Sequence, residues 1–103
     1  MKNITVCITL LLLPVNLMAA ALLPGDAERG KILHNSNCVG CHTQMTAGKP
    51  DTLYTRSNRR VNSVGGLISQ VAGCNKMQKI GLDENERNDV VKYLNDEFYK
   101  FTD

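Results

Sequence analysis

Five consecutive residues, Cys38-Val39-Gly40-Cys41-His42, constrain this chain more than anything else in its 103 residues. Two thiols and an imidazole at this spacing are how a polypeptide attaches a haem covalently. Each sulfur adds to one porphyrin vinyl as a thioether, and two intervening residues let both sulfurs reach neighbouring vinyls from one helical turn. The His42 imidazole then lies under the iron as its proximal ligand. Cys38 and Cys41 are therefore the attachment residues expected for one haem c.

A bare C-x-x-C also serves as a redox-active disulfide or as half of a zinc site. A structural zinc takes about four ligands, commonly through a second closely spaced pair. Beyond the motif, the chain after residue 21 offers only His34 and Cys74, which are not such a pair. A thioredoxin-type motif would follow a strand in a βαβ pattern, and no convincing strand precedes Cys38.

Residues 1–21 read as a secretory signal peptide. Lys2 gives a charged start, Ile4 to Leu13 is apolar apart from Thr and Cys, and Ala19-Ala20-Ala21 offers a cleavage site. The apolar run falls short of the roughly 18–20 residues that span a bilayer, so stable membrane insertion is not expected. Cys7 lies inside the apolar run, away from the setting of a lipidated cysteine, and leaves with the leader, as does Met18. In a bacterium the destination is the periplasm.

The remaining stretch, 22–103, is one small domain of about 82 residues. A chain that short forms a marginal core by itself, so a covalently held haem is expected to act as part of the core. The formal net charge is +2; removing Lys2 leaves about +1, and two haem propionates make it slightly negative. Neither this balance nor any basic run with interleaved aromatics points to nucleic acid.

Three helices are expected. The first covers about Asp26 to Asn37, with Asp26 and Glu28 suited to a helix N-terminus and Ile32 and Leu33 apolar. The second covers about Ser63 to Gly73, with Val64, Leu67, Ile68 and Val71 at helical spacing behind a Ser63 cap. The third runs from Asp83 to about Lys100. Asp83 and Glu86 make a capping-box pattern, and Val90, Val91, Leu94, Phe98 and Phe101 share a face. Thr43 to Arg60 is polar and without period, and reads as a loop along one haem edge, with Met45 packed there.

This order of helix, C-x-x-C-H, proline-containing loop, short helix, methionine and terminal amphipathic helix resembles the small bacterial class I c-type cytochromes. The resemblance covers Asp26 to about Tyr99. It implies an all-α, cytochrome c-like fold of about three helices packed around one covalently attached haem. Family members place a glycine eight residues before the first haem cysteine, where the first and last helices cross, and Gly30 stands there. They usually carry an aromatic four residues before that cysteine. His34 stands there instead, and its position one turn before Cys38 directs it toward the last helix near Leu94 or Phe98. As an iron ligand it would need a refolded first helix.

The resemblance also implies further site residues. Pro50, eight residues after His42, corresponds to the proline whose carbonyl accepts the ring N–H of the proximal histidine. Met77 precedes Tyr93 by sixteen residues, a spacing similar to that of the distal methionine ligand in the shortest members. From the residues themselves, Cys74 has no disulfide partner and is either a buried, inert thiol, the site of a bond to a partner, or, as thiolate, the alternative iron ligand; a third reading leaves the distal position open or weakly held by Asn75. Arg56, Arg59 and Arg60 form a basic cluster; Arg59 or Tyr54 is a candidate for holding a propionate.

The implied function is one-electron transfer in the periplasm between membrane-bound and periplasmic redox proteins, through small transient contacts and without catalysis by this chain alone. Two alternatives remain open. One is a haem module that binds or senses a small ligand at an open or thiolate-ligated distal site. The other is the haem subunit of a larger periplasmic enzyme.

Overall fold

Asp26 starts the first helix because its carboxylate accepts the N–H groups of Glu28 and Arg29, at 2.9 and 3.2 Å. The computed structural model describes residues 23–103. The expected signal peptide, residues 1–21 with Cys7 and Met18, lies outside the described residues; all regular structure among the described residues is helical.

Helix α1 spans Ala27–Asn37, and α2, Val39–Met45, begins one residue after it ends. Cys38 is the joint between them. Helix α3, Thr52–Thr55, is a single turn within the polar stretch. Helix α4 spans Val64–Met77 and starts where Ser63 Oγ accepts the Gly66 N–H at 3.0 Å. Helix α5 spans Glu84–Leu94 behind a complete capping box: Asp83 accepts the Glu86 N–H at 2.8 Å, and Glu86 accepts the Asp83 N–H at 3.1 Å. A π-helical turn, Asn95–Tyr99, continues it until Lys100 takes a left-handed conformation. The Asn95 side chain ties off this end, accepting from the Phe101 N–H at 2.8 Å and donating to its carbonyl at 3.2 Å.

Three boundaries differ from the sequence expectation. The C-x-x-C-H run is helical from Val39 on, so the stretch from Thr43 opens on the end of α2 rather than on a loop. Helix α4 runs through Gly73 to Met77, which puts Cys74 and Met77 one turn apart on the same helix. It stops where Gln78 N–H donates back to the Cys74 carbonyl and Lys79 turns left-handed. The terminal helix keeps α geometry only to Leu94, because the Lys100 N–H closes onto the Asn95 carbonyl five residues back.

The largest interface in the fold is the crossing of α1 over α5. Two glycines permit it. A Cβ on Gly30 would overlap the Asp89 carbonyl oxygen and stand 2.9 Å from Tyr93 Cβ. A Cβ on Gly25 would come within 2.6 Å of the Asn88 carbonyl oxygen, and Gly25 also has φ +122°. The buried Asp89 carboxylate accepts the Asp26 N–H at 2.8 Å and faces Arg29 at 3.5 Å, so it reaches the start of α1 from the middle of α5. Val90 and Leu94 on α5, Leu67 on α4, Tyr54 on α3, and Val61 and Leu82 from the connections complete the inner face. No helix among the described residues is long and apolar enough to cross a membrane.

Gly30→Ala tests the crossing. Alanine favours the helix by about 1 kcal/mol over glycine, but overlap with a backbone carbonyl outweighs that gain. The expected net loss is about 1–3 kcal/mol, measured as a lower denaturation midpoint at unchanged m-value.

Candidate functional site

The end of α1, one side each of α2, α3 and α4, and the inner face of α5 line a cavity of about 360 Å³. That volume lies in the range of small-molecule and cofactor sites and far exceeds packing voids in a core this small. Cys38, Cys41, His42 and Met45 line it from α2 and its joint with α1; Cys74 and Met77 line it from α4. Leu67, Val71, Val90 and Leu94 supply apolar walls. Cys38 and Cys74 are near enough that Cys74 contributes, after burial, to pushing the Cys38 thiol above its ordinary pKa.

The polar centre of the site is a chain of three side chains. The Tyr54 hydroxyl lies 2.6 Å from His42 Nδ1 and 2.7 Å from His34 Nε2. It donates to one nitrogen and accepts from the other. His34 is buried to 2% exposure, and its Nδ1 has no partner in hydrogen-bonding geometry. Its ring also meets Tyr93 at a centroid distance of 5.4 Å. The expected placement at the helix crossing thus holds, with Tyr93 as the contact rather than Leu94 or Phe98.

Burial sets the protonation states here. It lowers the His42 pKa below the ordinary imidazole value. At His34 burial is again the largest cause; the nearby Asn35 amide and Asp51 oppose it, while His42 adds to the lowering. Burial, with lesser effects from Cys38 and Tyr99, pushes the Tyr54 hydroxyl far above the ordinary phenol range, so it stays protonated.

Three candidates from the sequence stand elsewhere in the geometry. The nitrogen offered to Pro50 bonds Tyr54 instead, and an imidazole nitrogen makes one such bond. The Pro50 carbonyl accepts the Leu53 N–H at 3.3 Å, closing the turn into α3. Arg59 is not on the cavity wall: its guanidinium donates to the Tyr54 carbonyl at 3.0 Å and stacks over Tyr99 and Phe101 at 5.1 and 5.2 Å. Arg56 and Arg60 reach the cavity in its place. Asn75 bonds Leu82 through its amide, donating to the carbonyl at 3.0 Å and accepting the N–H at 2.8 Å, so it braces the turn into α5.

Met77 lines the cavity but is 74% exposed, so its thioether is not held by packing. Cys74 accepts from the Gln70 amide at 3.2 Å. The sequence reading missed the role of Tyr54. Leu53-Tyr54, an apolar pair in an otherwise polar stretch, was the available sign that this segment turns inward.

Among the described residues, no three or more His, Cys, Asp and Glu side chains come together as a bare metal site. The two cysteines and His42 on an apolar cavity fit a covalently attached haem. No protein family, curated protein or solved structure matches this chain.

The histidines give a pH dependence with a definite sign. Unfolded His34 takes up a proton near its ordinary pKa of 6.5, whereas the folded residue does so only at lower pH. The unfolded state therefore binds more protons as pH falls, and stability is lost below about pH 6.5. The denaturation midpoint of the full chain is expected to drop between pH 7 and 5, and His34→Gln, which keeps an acceptor for Tyr54 but cannot titrate, to flatten that drop.

Proposed function

We propose that this chain is an exported monohaem c-type cytochrome that carries single electrons between periplasmic or membrane-bound redox proteins. One observation carries the reading. The C-x-x-C-H run lies on the wall of an apolar cavity, with His42 Nδ1 already bonded and Nε2 free of any hydrogen bond among the described residues. An imidazole so held keeps a lone pair for a metal.

On this reading Cys38 and Cys41 hold the haem as thioethers and His42 ligates it from Nε2. Haem supplies a one-electron ferric/ferrous couple when bound. Leu67, Val71, Val90 and Leu94 exclude water from it, which limits rearrangement on electron transfer. Arg56 and Arg60, exposed at the cavity edge, are placed to meet propionates. On this reading the haem plate would cover the apolar side chains that line the cavity.

Met77 is the proposed distal ligand. Its exposure and the position of Cys74 one turn earlier favour a second reading, in which the distal position is open or taken by thiolate and the protein binds a small ligand.

Absorption spectra of the purified holoprotein separate these readings. A His42/Met77 carrier gives sharp reduced bands indifferent to carbon monoxide, and a red sulfur-to-ferric charge-transfer band that disappears in Met77→Ala. A high-spin spectrum that shifts with carbon monoxide, or a low-spin ferric spectrum lost in Cys74→Ala, overturns the carrier. Cys38→Ser with Cys41→Ser is expected to abolish covalent haem altogether; retention of covalent haem in that variant refutes the attachment assignment.

A further inference from the structure

We infer that Tyr54 is the positioning residue for His42: its hydroxyl accepts the His42 Nδ1–H and donates to neutral His34, which directs the His42 lone pair from Nε2 into the cavity. This rests on the proposed haem role of His42 and extends it to two residues outside the C-x-x-C-H run.

The two hydrogen bonds fix the direction. A hydroxyl has one proton, so with nitrogens at 2.6 and 2.7 Å it must donate to one and accept from the other. A histidine that ligates from Nε2 carries its proton on Nδ1. Tyr54 therefore accepts from His42 and donates to His34 Nε2. His34 in turn holds its own proton on Nδ1, the nitrogen without a partner. A second proton on His34 would place an unpaired cation at 2% exposure, and would remove the acceptor that Tyr54 needs.

Tyr54 is built to hold this position. It is 5% exposed, its ring packs against Phe98 and Tyr99 at 5.1 and 5.7 Å, and Arg59 grips its carbonyl. A phenol oxygen is a weak acceptor by itself, but donating its own proton to an imidazole strengthens it through polarisation along the chain. His34 therefore sets how strongly Tyr54 draws on the His42 N–H, and hence how much electron density His42 offers a ferric ion.

The test uses the full holoprotein. Its wild-type spectrum comes first: absence of covalent haem overturns the functional reading and this inference with it. With haem in place, ¹⁵N spectra of the histidine-labelled, reduced protein are expected to show His34 protonated on Nδ1 and bare on Nε2; the reverse tautomer, or a doubly protonated ring, overturns the inference alone. Tyr54→Phe and His34→Leu are each expected to raise the reduction potential, because a weaker His42 donor stabilises the ferric state less. His34→Gln, which still accepts from Tyr54, is expected to stay near wild type. Since His34 acts through Tyr54, the Tyr54→Phe, His34→Leu double variant is expected to match Tyr54→Phe. An unchanged potential in Tyr54→Phe, or additive shifts in the double variant, refutes the relay while leaving the carrier reading intact. If Tyr54→Phe fails to fold, the wild-type tautomer still decides.

Discussion

The close approach of α1 to α5 at Gly30 and Asp89 is the contact on which the remaining structure depends. Helix α1 has too little apolar surface to insist on this pairing through burial alone: it buries only Gly30 and His34. Backbone proximity and polar bonding define it instead. The crossing brings the Asp89 carboxylate to the first turn of α1, where it accepts the Asp26 N–H. Once that register is set, Tyr93 meets His34 one turn along, and Val90 and Leu94 face the cavity. Cys38 lies one residue past the end of α1, so the same register aims the C-x-x-C-H run at the cavity wall. A shift at Gly30 would displace the chemistry.

Much of this was legible in the sequence, and the parts that were share a physical basis. Asp26, Ser63 and Asp83 begin helices because their side-chain oxygens satisfy N–H groups a few residues on, a local interaction that spacing reveals. Gly30 was legible through the helix crossing that the family resemblance implied. Helix ends were less so. Gly73 looks like a terminator, yet α4 continues because Gln78 closes back on Cys74 and the reversal falls to Lys79 at φ 52°. The π-helical turn after Leu94 depends on Asn95 bonding both backbone groups of Phe101, a pairing no periodicity encodes.

The site divides the same way. Cys38, Cys41 and His42 carry their meaning in consecutive residues. Pro50, Arg59 and Asn75 required knowing where a loop lies, and each is drawn into local bracing: a turn into α3, a stack on Tyr99 and Phe101, and a clamp on Leu82. Sequence distance fixes which residues can reach a region, but not which hydrogen bond wins there. The longer α4 has a direct chemical consequence, since it offers a thiol and a thioether to one cavity from successive turns.

Two departures from the pattern of the cytochromes this chain resembles are explained by one another. His34 stands where an aromatic is usual, and the His42 N–H partner is a tyrosine hydroxyl where a proline carbonyl is usual. A purely aromatic ring at 34 would fill the crossing but leave the Tyr54 hydroxyl with nothing to donate to, buried at a cost of about 1–3 kcal/mol. A tyrosine at 54 without that acceptor would be a poorer partner for His42 than a carbonyl. Together they form a continuous polar chain inside an apolar core, each making the other tolerable, and the unpartnered Nδ1 of His34 is its buried unsatisfied end. The Arg59 grip on Tyr54 belongs to the same arrangement, because it holds the α3 turn against the π-helical end of α5 and so fixes where the hydroxyl stands. The residue that looked like a propionate ligand acts one step behind the polar centre, on the backbone of the tyrosine that orients His42.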